Sequence, residues 1–280
     1  MRSMTGFGEG RVESPAGVAR VVVATVNHKA VNVTVRGDLR DLALEEQLRD
    51  DVRRAIVRGS ASVQIAWDPV ASAAIDQARV AAVWRELAKL AAQIGAPPPQ
   101  LADALSSGGR GRDDITIAAG PVREALVQAI TRLDASRDRE GAVLHSAFVA
   151  LATRLRAVHG RLAPLAAARV PAYRERLAAV VADAVGRQVP PEVLAREVAL
   201  EAQRLDISEE LTRLAAHLDA LDRLLKRSDP IGRELEFLTQ ELGREANTAG
   251  AKANDAALSA LCIDLKVAID QLKEQAANVV

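Results

Sequence analysis

The spacing of apolar residues changes twice along this chain. Residues 18–26 and 32–36 are β-branched and extended, and residues 61–67 alternate apolar with polar, so all three are predicted strands. Residues 41–57 between them have helical spacing. Residues 71–94 form a further predicted helix, ended by Gly95 and Pro97-Pro98-Pro99, because proline has no amide to donate and clashes with the turn before it. Residues 106–112 read as a glycine-rich, basic loop. The opening part is therefore a small sheet with helices.

Beyond Pro121 the text turns rich in Ala, Leu and Arg with helical periodicity. Gly160, Pro171, Gly186 and Pro190-Pro191 are expected to divide it into helices of roughly 15 to 40 residues. The expectation is an α+β protein: an N-terminal α/β domain over residues 1–120, then a mostly α, long-helix domain over residues 121–280. Aromatic residues are 2% of the chain, so Ala and Leu must pack closely, which suits helix pairs and subunit interfaces.

Polar residues occupy positions in this helical region that a core would claim. Steps of four and three link Glu241, Glu245, Thr248, Lys252 and Asp255 to Leu258, Cys262, Leu265, Ile269 and Leu272, one stripe expected to face protein or a shared cavity. It reads either as a polar device that fixes helix register or as a binding site. Two apolar seams, Leu211-Leu214-Leu218-Leu221-Leu225 and Ile231-Leu235-Leu238-Leu242-Ala246, have polar stripes beside them. One stripe holds Asp206, Glu210, Arg213 and His217; the other holds Glu234, Glu241, Glu245 and Lys252. A hairpin turning at Ser228-Asp229-Pro230 opens both stripes on one cleft. Carboxylates there can hold a divalent cation, a histidine can ligate or move a proton, and arginines can fix a phosphate. For Glu209 and Glu210 the plainer reading is a solvated face with i,i+4 pairing to Arg213.

Composition removes several alternatives. No uninterrupted apolar run approaches the ~20 residues of a membrane span, and the first residues lack the apolar stretch of a signal peptide. A cytoplasmic protein with no membrane partner is expected. The single cysteine, Cys262, reads as core packing. Formal charge is zero, yet from Glu192 onward 17 acidic residues face 11 basic ones, leaving 20 acidic and 26 basic before it. There is no phosphate-binding Gly-Lys-Ser/Thr loop, and Gly6-Phe7-Gly8 is too weak for a dinucleotide site. Two tryptophans, one tyrosine and three phenylalanines do not make a stacking platform, so affinity for nucleic acid is expected from phosphate and shape contacts.

Particular wording narrows the reading. Residues 237–241, Phe-Leu-Thr-Gln-Glu, followed by Arg244, Glu245, Ala246, Asn247, Thr248, Lys252 and Asp255, resemble the C-terminal signature of the YicC-like bacterial endoribonucleases. Ser3-Met4-Thr5-Gly6-Phe7-Gly8, Asn27-His28-Lys29 (with Lys29 where arginine is usual), Arg58-Gly59, Arg139-Glu140-Gly141, Arg204, residues 206–214 and His217 continue the likeness in order. Residues 70–135 carry little of it. The resemblance implies an endoribonuclease assisted by Mn²⁺ or Mg²⁺ and built as a hexamer around a cavity. For that chemistry the polar stripes offer Glu209, Glu210, His217, Glu241 and Glu245 as candidate catalytic residues. Glu210, His217, Glu241, Glu245 and Asp255 are the candidate metal ligands. Asn27, His28, Lys29, Arg204, Arg213, Arg244, Asn247 and Lys252 are the implied RNA contacts. An RNA-binding adaptor without catalysis and a purely structural oligomer are the alternatives. His145 and His159 have no partner motif and are left out of the site.

Overall fold

A computed structural model describes residues 1–37, 41–69, 77–108, 117–185 and 190–280. Strands β1 (Gly6–Ser14), β2 (Gly17–Val26), β3 (Asn32–Gly37) and β4 (Ser60–Pro69) form one sheet in the order β1-β2-β4-β3. β2 is antiparallel to β1 and β4, and β3 runs parallel to β4, which it reaches through helix α1 (Leu42–Ala55). Alternation accounts for the sheet: Ala19, Val21 and Val23 of β2 and Ala61, Val63 and Ile65 of β4 are buried. α1 begins at Asp41, whose carboxylate accepts from the amides of Ala43 and Leu44, and it packs Leu44, Leu48 and Val52 into the same core.

β1 was not among the expected strands, because glycine at every second position erases the apolar alternation. Those glycines let a helix rest on strand backbone. A Cβ on Gly8 would lie 2.0 Å from the Ala129 carbonyl oxygen, and one on Gly10 would lie 1.8 Å from that of Ala125.

Helix α2 (Gln77–Ile94) packs against α3 (Leu101–Gly108). The expected start of α2, residues 71–76, lies outside the described residues, and residues 106–108, expected as loop, are the end of α3. The remainder of that loop, 109–112, is also outside them.

Helix α4 (Ala119–Val185) runs for 67 residues, about 100 Å at 1.5 Å per residue. The expected breaks at Gly160 and Pro171 do not occur, and Pro164 too is inside the helix. Both prolines are exposed, and the helix between them is pinned by buried Arg169. Arg169 donates to the carbonyls of Leu205 and Lys252 (2.9 and 2.8 Å) and to Asn254 Oδ1 (2.6 Å). Tertiary contacts thus override a local cost of about 3 kcal/mol for each proline.

Near its start α4 gives Val122, Ala125, Leu126, Ala129 and Leu133 to the sheet core. Further along it gives Leu144, Phe148, Ala152, Leu155, Val158 and Leu162 to a second core. That core also takes α6 (Ser208–Leu225), α7 (Gly232–Lys252) and α8 (Ala256–Ala276), while α5 (Pro191–Leu205) packs on the far part of α4. α4 is long and apolar enough to meet the length and hydropathy of a membrane span. Phe148, Leu155 and Leu162 on this helix are buried core residues. Both expected halves of the α+β architecture are present.

The first and last strands of backbone close on each other. The Met4 amide donates to the Asn278 carbonyl (2.8 Å), that of Val280 to Arg2 (3.1 Å), and that of Ile231 to Val280 (3.1 Å). Buried Arg137 donates through Nε to the Ser3 carbonyl at 2.7 Å. Gly141 is required beside it, since a Cβ there would stand 2.5 Å from the Met1 carbonyl oxygen.

Candidate active site on the α6–α7 hairpin

α6 and α7 are joined as expected, through a turn held by Arg227, which binds both Asp229 and Glu234. The hydrogen bond from Arg227 holds the Asp229 carboxyl below its usual pKa range. Leu211, Leu214, Leu218 and Leu221 of α6 and Leu235, Leu238, Leu242 and Ala246 of α7 are all buried in the second core. With those seams inward, the neighbouring polar stripes meet along the hairpin.

His217 on α6 and Glu241 and Glu245 on α7 bring one ring nitrogen and two carboxylate oxygens within 4.8 Å of one another. Glu241 and Glu245 are one helical turn apart and so share a face. Glu245 is only 3% exposed; the other two are half-buried. Arg244 Nη2 donates to Glu241 (2.7 Å) and to Glu245 Oε1 (3.1 Å), and Arg213 Nη1 stands 3.5 Å from the same Glu245 oxygen. Arg213 also pairs with exposed Glu209 at 2.5 Å, the i,i+4 contact expected of a solvated face.

One imidazole and two carboxylates fit a divalent cation. Ligands about 2.1 Å from a common Mg²⁺-sized ion stand up to about 4.2 Å apart, so small rotamer changes would close the set. The nitrogen donor favours Mn²⁺ over Mg²⁺, which prefers oxygen throughout.

Other expected site residues lie elsewhere. Glu210 Oε1 accepts from Lys252 Nζ at 2.8 Å, while its buried Oε2 has no hydrogen-bond partner among the described residues. Lys252 also donates to the Asp206 carbonyl at 2.9 Å. The Asp206 carboxylate itself is held below its usual pKa range by hydrogen bonds from Ser208. Asp255 caps α8 by accepting from the Leu258 amide (2.9 Å) and lies 3.7 Å from Arg169. The expected single stripe is therefore broken: α7 ends at Lys252, Ala253 leaves helical geometry, and a new helix starts after Asp255. Thr248 is exposed and bonds back to the Arg244 carbonyl. Asn247 is exposed, as is Arg204 on α5, which is 3.7 Å from Glu201.

Asn27, His28 and Lys29 form an exposed connection after β2, where His28 Nδ1 is 2.9 Å from the Ala30 carbonyl. No hydrogen bond or ion pair joins them to α6 or α7 among the described residues. Arg58, beside the paired Val26 and Ser60, does reach α7, donating to Glu236 at 2.7 Å. His145 and His159 bind the Leu225 and Leu211 carbonyls and so tie α4 to α6.

Sequence reasoning gave no role to the groove beside this cluster, about 570 Å³, which His217 shares with Arg223, Arg233 and Phe237. Its only signal was Phe237 at the head of the family-like motif.

The arrangement is that of an α+β protein with a candidate cation site on a helical hairpin, flanked by arginines. Residues 1–146 match the N-terminal region of the YicC-like endoribonucleases, and residues 162–280 match their C-terminal region. The chain is 30% identical to the probable endoribonuclease YicC of Haemophilus influenzae, over 99% of this chain and 98% of that protein. It is 24% identical to the probable endoribonuclease YicC of Clostridioides difficile, over 99% of each. The chain belongs to the YicC-like endoribonuclease family.

Proposed function

We propose that this protein hydrolyses internal phosphodiester bonds of RNA in the cytoplasm, in RNA processing or turnover, with Mn²⁺ or Mg²⁺ held by His217, Glu241 and Glu245. The convergence of those three donors, in a chain of this family, carries the reading. When bound, such a cation stabilises the charge that builds on the phosphoryl oxygens and acidifies water.

The chain's own residues supply the rest. Arg213 and Arg244 already touch the site carboxylates, and a guanidinium has donors enough to keep one carboxylate while offering another N–H to a phosphate oxygen. Glu209 competes for Arg213 from the solvent side. Glu210 is a positioning residue that holds Lys252 against the start of α6. Arg204, Asn247 and the turn Asn27-His28-Lys29 are exposed, and in this reading they extend the path of the RNA.

A defined labelled RNA incubated with the full chain tests this. Cleavage is expected to stop under chelation and to return with Mn²⁺. Glu245→Gln should lower it by at least ~10²-fold, with RNA binding and oligomer mass kept. Undiminished cleavage under chelation would remove the cation from the reading. Binding without cutting under any metal would leave an adaptor.

A second reading has its own observation, since Arg213 and Arg244 both already lie at Glu245. If that cluster only fixes helix register, Glu245→Gln keeps the cleavage rate and lowers the melting temperature instead.

A further inference from the structure

The groove next to the cation cluster has no part in the chemistry described so far. It lies between the later turns of α6 and the early turns of α7, and His217 belongs to both. Phe237, one turn before Glu241, is 64% exposed on its wall. Arg223 and Arg233 line it as well, and among the described residues neither has a hydrogen-bond or ion-pair partner. Arg227 beside them is neutralised by Asp229 and Glu234. The turn bearing Phe237 is braced from the sheet, because Glu236 is held by Arg58.

A phenyl ring left in water gains nothing from packing, and two unpaired guanidiniums next to it call for anionic company. An apolar partner surface would cover the ring but strand the arginines. A nucleotide satisfies both, since every base has a face to stack on an aromatic ring and its flanking phosphates accept from arginine.

We propose that this groove holds a nucleotide next to the scissile bond, its base stacked on Phe237 and its phosphates held by Arg223 and Arg233. The proposal rests on the reading of His217, Glu241 and Glu245 as the cutting site. Stacking accepts any base, so the subsite sets where the strand is cut relative to an unpaired base and not which base is chosen. It is one subsite and not a platform, consistent with the scarcity of aromatic residues.

The test uses the full chain in chelator, so that binding is read without cutting. The probe is a single-stranded oligoribonucleotide carrying one 2-aminopurine, whose fluorescence falls when it stacks. The wild type should quench it; Phe237→Ala should abolish the quenching and bind roughly 5- to 100-fold more weakly, while Phe237→Trp keeps both. Replacing Arg223 and Arg233 together by Gln should reduce the slope of log affinity against log salt by about 1.4, at about 0.7 per phosphate contact. Wild-type binding and quenching by Phe237→Ala would overturn the proposal. So would a changed oligomer mass in that variant by light scattering, which would make the ring a subunit contact. A wild type that binds and quenches but never cuts sinks the cleavage reading and leaves the stacking subsite. A wild type that cuts, beside a Phe237→Ala that binds and cuts equally well, sinks only the subsite.

Discussion

Lys252, the last residue of α7, donates to the buried carboxylate of Glu210 in the first turn of α6 at 2.8 Å. This contact ties the open end of the hairpin, opposite its turn. The second oxygen of Glu210 is buried and has no hydrogen-bond partner among the described residues. Lys252→Met should therefore strand a buried charge and cost about 2–3 kcal/mol in urea unfolding, whereas Lys252→Met with Glu210→Gln together should recover most of that loss. Equal destabilisation by the double variant would mean the pair is not coupled.

Two glycines should respond in opposite ways to alanine. At Gly8 the new Cβ meets the Ala129 carbonyl oxygen at 2.0 Å, so helix and sheet must part, at a cost of about 3 kcal/mol or more. At Gly160 nothing lies within 4 Å and the residue is inside α4, so alanine should stabilise by about 0.5–1 kcal/mol. Thermal melts of the two variants check both signs.

Acid should loosen the clasp of the N-terminal residues. The Asp138 carboxyl is held below its ordinary range, first by its hydrogen bond from Arg2. A carboxylate depressed in the folded state adds stability above its unfolded pKa, about 3.9, and that stability is lost as pH falls through the folded value. Asp138→Asn should thus melt below the wild type at pH 7, and the two should converge as the pH falls below the depressed pKa of the folded state. A constant difference across that range would contradict the linkage.

We propose a closed homo-oligomer, six chains by family likeness. Trp84, Leu90 and Ile94 of α2 are 42, 52 and 69% exposed, more apolar surface than one helix of a monomer needs to show. Light scattering at micromolar concentration should return the hexamer mass, and Trp84→Glu with Leu90→Glu should lower it. A monomeric wild type would end this proposal.

What could be read from the text depended on whether a residue's role was local. β2 was legible from its β-branched run, and β4 because Ala61, Val63 and Ile65 alternate with Ser62 and Gln64. β1 was not, because Gly6, Gly8 and Gly10 are chosen by a helix more than a hundred residues away. Pro171 looked like a stop, yet Arg169 holds its helix to α5 and to the α7–α8 turn. Glu241, Glu245 and His217 could be placed together from seam spacing and family wording. Asp255 could not be separated from them by counting, although Asn254-Asp255 ahead of an apolar run is a cap signal. Exposure is a property of the fold, so Phe237 gave no hint of standing in a groove.

Because α4 is one uninterrupted rod from Val122 of the sheet core to Leu162 of the second core, the two cores have no hinge between them. Apart from Pro121 in its first turn, its prolines stand at 164 and 171, past the last of those core residues. Any flexing of this backbone is thereby displaced outward, toward α5 and the tip of α4. A strand of RNA that spans the sheet turn at His28 and the hairpin at His217 would consequently meet a gauge of fixed width.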